Sequence, residues 1–241
     1  MREGKAWKIV KYAVKGFFLL LIFGTIALIL WRVFSSGTPK SMSALDANDV
    51  IVKAWEKAEA EGREMDMFTQ LQPTNITTKK ENYSYFSVES VVFIRDAEEI
   101  QLTFRYNNST IRHLQEDKGL DTLPDRDEDL YDVTLWAVYD LTPDVTGDDE
   151  NVEYVRYHPT ASETRAAQKN VYNYRKFVFD GVSMGDAEKP LLTVFMDVYY
   201  VGDLDYDADP YGTLPIYQYV YENEIYTLTS DDRKALEAYG K

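Results

Sequence analysis

Residues 100–106 read Ile-Gln-Leu-Thr-Phe-Arg-Tyr, and this alternation decides the fold class. Ile100, Leu102, Phe104 and Tyr106 occupy every second position, which is the period of a β-strand with one buried side and one solvent-facing side. Similar runs occur at 84–94, 131–140, 152–157, 171–179, 191–201, 216–221 and 224–228. Longer loops are predicted at 107–130, 141–151 and 202–215. The chain is therefore predicted to be mainly β, with about eight strands.

Short strands separated by turn residues are typical of a sandwich of two packed sheets. We predict a β-sandwich of the immunoglobulin-like type. The chain has no cysteine, so Trp136 is the one residue that resembles the signature of such domains. The strand at 191–201 is expected to be central, because both of its faces are largely apolar. Glu222 and Asn223 lie between the last two runs and predict a tight hairpin.

Two helices are predicted to flank the strands. Apolar residues recur at three- and four-residue intervals in 49–62, which predicts an amphipathic helix anchored to the core by Trp55. Ser230 is predicted to cap a short closing helix at 231–239, because acidic residues open that segment and favour a helix N-terminus.

Residues 16–31 read Gly-Phe-Phe-Leu-Leu-Leu-Ile-Phe-Gly-Thr-Ile-Ala-Leu-Ile-Leu-Trp and carry no charge. Lys15 and Arg32 bracket this run, and long basic side chains reach the lipid headgroups from just inside the bilayer. The usable helix then approaches the roughly 20 residues that a bilayer requires. We predict a transmembrane helix at 16–34, in contact with the lipid bilayer.

Basic residues indicate the orientation of this helix. Five precede the apolar run, and only Arg32 and Lys40 follow it closely, so the positive-inside rule places the N-terminus in the cytoplasm. The alternative is a cleaved signal peptide with its cleavage site at Ser35-Ser36-Gly37. The length of the apolar run and its Leu-Trp-Arg-Val-Phe ending favour an uncleaved signal anchor.

Charge divides the chain into two regions. Residues 1–40 hold seven basic side chains and one acid, whereas residues 41–241 hold 19 basic and 40 acidic side chains, a net charge of −21. Nucleic acid is not expected as a partner, because its binding depends on Lys and Arg displacing counterions. A cysteine-free outer domain of this size favours a bacterial cell envelope, since extracellular domains of eukaryotes often use disulfides.

These features predict five segments: a basic cytoplasmic tail at 1–15, a transmembrane helix at 16–34, a linker at 35–48, a helix with an irregular lead-in at 49–80, and an extracytoplasmic β-sandwich with a C-terminal helix at 81–241.

The sequence offers no convincing catalytic set. Residues 181–185 fit the G-x-S-x-G pattern of a nucleophile elbow, but no helical segment follows, and His113 and His158 both precede the serine. A glycine-flanked turn is the better interpretation. The two histidines lack neighbours at ligand spacing, so zinc catalysis is not expected.

Two features indicate binding. Alternating aspartates in the loop after residue 201 form an oxygen-rich segment that suits calcium, although the EF-hand spacing is not met: Asp203, Asp205, Asp207 and Asp209. Further acidic loops lie at 125–129 and 144–150. Tyrosine is abundant in the same region and is favoured on recognition surfaces, which gives a candidate binding surface: Tyr199, Tyr206, Tyr211, Tyr217, Tyr219 and Tyr221.

Three functions follow from the sequence. The first is a noncatalytic, single-pass envelope protein whose outer domain acts as a protein-interaction or assembly module and binds another envelope protein. The second is a calcium- or glycan-binding extracellular module that uses the acidic loops and the tyrosines; apart from calcium, no cofactor is expected. The third is a hydrolase with paired carboxylates, for which the sequence shows no recognisable pair.

Overall fold

The computed structural model describes residues 5–35, 37–70, 75–77, 84–126, 129–141, 151–160 and 164–239. The chain forms two units, Met1–Gly37 and Thr38–Lys241. The acidic loop at 144–150, and residues 127 and 128 of the other one, lie outside the described residues.

The first unit contains one long helix, α1 (Lys5–Ser35). Its segment Lys11–Trp31 has 21 residues with a mean hydropathy of 2.4, so it is long and apolar enough to cross a membrane. A helix of this kind near an N-terminus fits a membrane anchor or a signal sequence.

The second unit is mainly β. Its described strands are β1 (Met67–Gln70), β2 (Asn75–Thr77), β3 (Ser84–Ile94), β4 (Glu99–Asn107), β5 (Tyr131–Asp140), β6 (Val152–Tyr157), β7 (Arg165–Lys169), β8 (Tyr172–Asp180), β9 (Leu191–Tyr200), β10 (Gly212–Gln218) and β11 (Asn223–Ile225). Its described helices are α2 (Lys40–Ser43), α3 (Asp49–Ala60), α4 (Asn108–Lys118) and α5 (Ser230–Ala238).

The strands form two antiparallel sheets. Sheet A has the order β11-β1-β3-β4-β8-β7, with β2 paired to β3, and sheet B has the order β10-β9-β5-β6. The predicted central position of the strand at 191–201 is confirmed, because β9 lies between β10 and β5.

Apolar side chains from both sheets share one core. Ile100, Leu102 and Phe104 of β4 lie in it, as the alternation predicts, together with Leu135 of β5 and Met196 of β9. The rings of Phe104 and Phe177 stack within it, which stabilises the core beyond the effect of the apolar area that they bury. The two sheets therefore form a sandwich.

The outer face of sheet A is also covered. Ile51 and Ala54 of α3 and Leu236 of α5 pack against Val92 and Ile94 of β3 in a second apolar cluster, and Trp55 is partly buried beside it. The second unit thus has three layers, with helices on sheet A and sheet A on sheet B.

Several sequence expectations are corrected. The predicted hairpin at Glu222-Asn223 is wrong, because β10 belongs to sheet B whereas β11 pairs with β1 in sheet A. The predicted loop at 107–130 contains α4, which begins after Asn107 in a capping box. Thr229, not Ser230, caps α5.

The segment before α3 is packed against sheet A. Met42 and Leu45, which fall within the predicted linker at 35–48, are buried. Gln101 and Thr103, on the polar face of β4, are covered by this segment and bond to the backbone of Asp46 and Met42. Their polar alternation therefore marks a hydrogen-bonded interface and not a solvent-facing side.

Candidate functional site: two depressions beside sheet B

The outer face of sheet B carries a row of large side chains. Trp136 of β5 pairs with Phe195 of β9 and with Arg156 of β6. Directly opposed residues in antiparallel strands project to the same face, and the core residues Leu135 and Ala137 project to the other one. Trp136 therefore faces away from the core, unlike the core tryptophan of immunoglobulin domains.

These side chains line an open depression of about 480 Å³, which we call the outer-face depression: Trp136, Tyr154, Phe195, Asp197, Pro210 and Thr213. Tyr154 is 62% exposed. In the described part of the chain, α3 and α5 pack on sheet A, whereas the aromatic side chains on sheet B remain open to solvent. Exposed aromatic groups in a depression are typical of recognition surfaces.

Asp197 is a buried acidic residue in the lining of this depression. Thr213 Oγ1 donates a hydrogen bond to its Oδ1 at 2.6 Å. Burial raises the pKa of Asp197 above its ordinary value, although hydrogen bonds from Thr213 and Trp136 oppose the change. The Arg156 guanidinium lies 4.4 Å from the Trp136 ring centre, in cation–π range. Trp136 thus contacts Arg156 through its ring and Asp197 through its side-chain hydrogen bond.

A second depression, the end cleft, has a volume of about 380 Å³. Its main chemical groups come from both sheets and the connecting loops: Asp129, Asp132, His158, Arg175, Phe177 and Tyr206. The Tyr206 hydroxyl donates to Asp132, and its ring lies edge-on to His158 at 4.7 Å. Burial, followed by the bond to Asp132, raises the pKa of Tyr206 to about 12.

The structure distributes the predicted binding tyrosines over several sites. Tyr199 and Tyr206 meet with ring centres 5.3 Å apart, beside the end cleft. Tyr211 and Tyr217 pack on the core, whereas Tyr219 and Tyr221 are exposed. Strand β10 ends at Gln218, so Tyr219 and Tyr221 lie beyond it and do not share a strand face with Tyr217. The binding role of these tyrosines stays a prediction.

The predicted calcium residues already have local contacts. Asp203 accepts from Lys118 Nζ at 2.6 Å, and Asp207 lies 3.5 Å from Arg156 Nη1. Asp205 accepts from the backbone of Asp207 at 3.0 Å, as in a turn. Within the described ranges, Asp209 and these residues do not join a group of three or more His, Asp or Glu side chains suited to a metal ion. These contacts disfavour the calcium hypothesis, which a melting experiment can test directly.

The remaining sequence candidates have plain structural settings. Gly181 and Gly185 both have positive φ, and the segment between β8 and β9 that holds Ser183 makes a turn with no helix after it. His113 lies on α4, with Nδ1 3.7 Å from Glu116. His158 follows β6 and borders the end cleft.

Sequence reasoning missed Trp136, Phe195 and Arg175 as site residues. The position of Trp136 was readable, because it is out of phase with Val133, Leu135 and Ala137 on the same strand. Arg175 gave no such signal, since Asn173 and Arg175 precede Phe177 and Phe179 on the same face of β8 and look like solvent-facing residues at the start of the strand.

Comparisons with known proteins do not assign the chain. No protein-family model matches it, and no curated protein matches it. Its function is therefore inferred from the chemistry of its own residues.

Proposed function

We propose that this chain is a noncatalytic envelope protein that α1 anchors in the cell membrane. In this proposal the N-terminus is cytoplasmic, Thr38–Lys241 is extracytoplasmic, and the cell is bacterial. The second unit acts as an interaction or assembly module for another envelope protein. The immunoglobulin-like type of sandwich belongs to the proposal as well, and its support is the pair of antiparallel sheets over one core.

The unequal covering of the two sheets is the observation that carries the proposal. Helices α3 and α5 pack on the outer side of sheet A, whereas the outer-face depression exposes Tyr154 and leaves Phe195 and Trp136 accessible. Aromatic side chains with few rotatable bonds give large contact area at low entropic cost, and they are enriched where proteins bind one another.

Charge indicates the kind of partner. The chain after residue 40 has a net charge of −21, and the loop beside the depression carries Asp205, Asp207 and Asp209. An acidic rim around an apolar centre favours a partner with an apolar contact residue surrounded by Lys and Arg, and it accelerates their encounter at low salt. Binding should weaken as the salt concentration rises.

Topology is testable because the chain contains no cysteine. Single cysteines at Lys5 and at Glu224 give two reporters in an otherwise unreactive chain. In intact cells we expect a membrane-impermeant maleimide to label Glu224→Cys, and to label Lys5→Cys only after the membrane is disrupted. Labelling of both variants in intact cells, or an N-terminus near Thr38 in the mature chain, would contradict an uncleaved anchor.

The docking surface is testable by site-specific photo-crosslinking in cells. A photoreactive residue at position 154 lies in the outer-face depression, and one at position 219 is a matched control, since Tyr219 is 65% exposed but does not line it. We expect one discrete adduct from position 154 alone. It should contain a different envelope protein, crosslinked through a segment rich in Lys or Arg, and Phe195→Asp should remove it.

Three outcomes would overturn this assignment. They are equal adducts from both positions, an adduct with a second copy of the same chain, and an adduct that persists in Phe195→Asp. Folding of that variant is checked by its thermal transition, so that loss of the adduct reports the surface and not unfolding.

A further inference from the structure

The end cleft contains a buried arginine that the proposed docking surface does not use. Arg175 is 6% exposed and lines the cleft. Its Nη1 donates to Asp129 Oδ1, but among the residues that the structure describes its Nε has no hydrogen-bond partner. A buried donor without an acceptor costs free energy, so an unfilled guanidinium nitrogen beside a cleft indicates a missing acceptor.

A second donor lies on the same face of β8. Asn173, two residues before Arg175, is 3% exposed, and its Oδ1 accepts from Arg126 Nε at 2.9 Å. Within the described ranges its Nδ2 also has no partner. Both residues lie on the face of β8 that also carries the core residues Phe177 and Phe179. Two unsatisfied donors at successive positions on one face of a strand are unusual, because native chains pair most buried polar groups.

Acceptors and flat apolar surfaces complete the cleft. Asp129 and Asp132 bring carboxylate oxygens, and the Asp129 side chain is 67% exposed. Tyr206 brings aromatic surface, and the Phe177 ring, which is only 2% exposed, lies 5.9 Å from the Arg175 guanidinium. Arg175, the two carboxylates and the rings therefore line one space of about 380 Å³, whereas Asn173 lies next to Arg175 on β8 and is not part of the lining. This volume is within the usual size range of small-ligand pockets, roughly 300–1,000 Å³.

This combination selects a class of ligand. An anion would be repelled by Asp129 and Asp132, and a cation would meet the permanent charge of Arg175. A hydroxyl group both donates and accepts, so it satisfies the carboxylates and the free guanidinium nitrogen together. A sugar ring also presents apolar C–H surface to aromatic side chains. We propose that the end cleft binds a neutral saccharide, either as a free sugar or as a residue of a surface glycan.

The inference is separate from the docking proposal, because the two depressions share no lining residue. It is tested on the full chain in lipid nanodiscs, since common glycoside detergents would compete for the cleft. Saturation-transfer NMR and calorimetry would measure binding of glucose, galactose, mannose, N-acetylglucosamine and their disaccharides. Glucosamine, glucuronate and inorganic phosphate serve as charged comparisons. Sedimentation with insoluble cell-wall glycan distinguishes a polymer from a free sugar.

We expect at least one neutral saccharide to bind, and Asp129→Asn to weaken it about tenfold, which is the usual effect of losing a hydrogen bond to a charged group. Tyr206→Phe keeps the ring and removes the hydroxyl, so its loss of affinity should be smaller. Tyr154→Ala, in the other depression, is the matched control and should bind normally.

No binding by any neutral saccharide, tighter binding of phosphate or glucosamine, or equal binding by the wild type and Asp129→Asn would each overturn the inference. Asp129 is exposed enough that its substitution should not prevent folding, and the thermal transition of each variant checks this.

Discussion

Lys176 Nζ lies 3.6 Å from Asp46 Oδ1, and the two side chains are only 4% and 3% exposed. Arg165 Nη1 reaches the same oxygen at 3.0 Å. Burial raises the pKa of Asp46 and lowers the pKa of Lys176, and their mutual attraction opposes both changes. This ion pair and the neighbouring hydrogen bonds attach the segment before α3 to sheet A.

Removing Asp46 from this pair should destabilise the fold more than removing Lys176. Asp46→Asn leaves the Lys176 charge buried without its paired carboxylate, which costs about 3 kcal/mol or more. Lys176→Met should cost less, because Arg165 still neutralises Asp46. Chemical unfolding followed by tryptophan fluorescence measures the free energy of unfolding of both variants. The double variant, Asp46→Asn with Lys176→Met, should lose less stability than the sum of the two single changes. Additive effects would show that the two groups do not interact.

Asp197 should make the stability depend on pH. Burial raises the pKa of Asp197 above its ordinary value of 3.8. At a pH between these two pKa values, Asp197 is protonated in the folded chain and ionised in the unfolded chain. The free energy of unfolding attributable to Asp197 therefore falls as the pH rises through this window. Asp197→Asn, which still accepts from Thr213, should remove that fall. Parallel pH profiles of melting temperature for the two proteins would contradict the raised pKa.

Gly185 should tolerate substitution far less than Gly181. Both have positive φ, +71° and +69°, so alanine is strained at either position. At Gly185 an added Cβ would also lie 2.4 Å from Leu191 N, whereas at Gly181 nothing lies within 4 Å. Gly181→Ala should cost about 1 to 2 kcal/mol, and Gly185→Ala on the order of 3 kcal/mol or more. Equal costs in chemical unfolding would show that the backbone angle alone matters.

The sequence was sufficient for features that depend on short-range periodicity. The alternation at Ile100–Tyr106 and the apolar run at 191–201 correspond to strands, and the apolar side chains Ile100, Leu102 and Phe104 lie in the core, because period and strand geometry are linked directly. The apolar run at 16–31 likewise corresponds to a long helix. For these elements the local pattern predicts the type of secondary structure and the position of the core-facing apolar side chains.

The failures have a common physical cause, which is packing between segments distant in sequence. Gln101 and Thr103 look solvent-facing but are covered by the segment before α3. The bulge after Pro215 turns Tyr217 into the core, and no pattern signals it. Arg175 belongs to the end cleft because the start of β5, in sheet B, lies close to the middle of β8, in sheet A. A single sequence shows such proximity only after the sheets are assembled.

Calcium should not stabilise the aspartate loop. Lys118 and Arg156 already contact Asp203 and Asp207, and Asp205 is engaged in a turn, so a calcium ion would have to displace cations and reorganise the loop to gather its six to eight oxygen ligands. Calcium at about 10 mM, enough to fill even a weak extracellular site, should leave the melting temperature equal to that in magnesium at the same concentration. A calcium-specific rise that disappears in Asp205→Asn would instead establish a site, because a ligand that binds only the native state must raise the melting temperature.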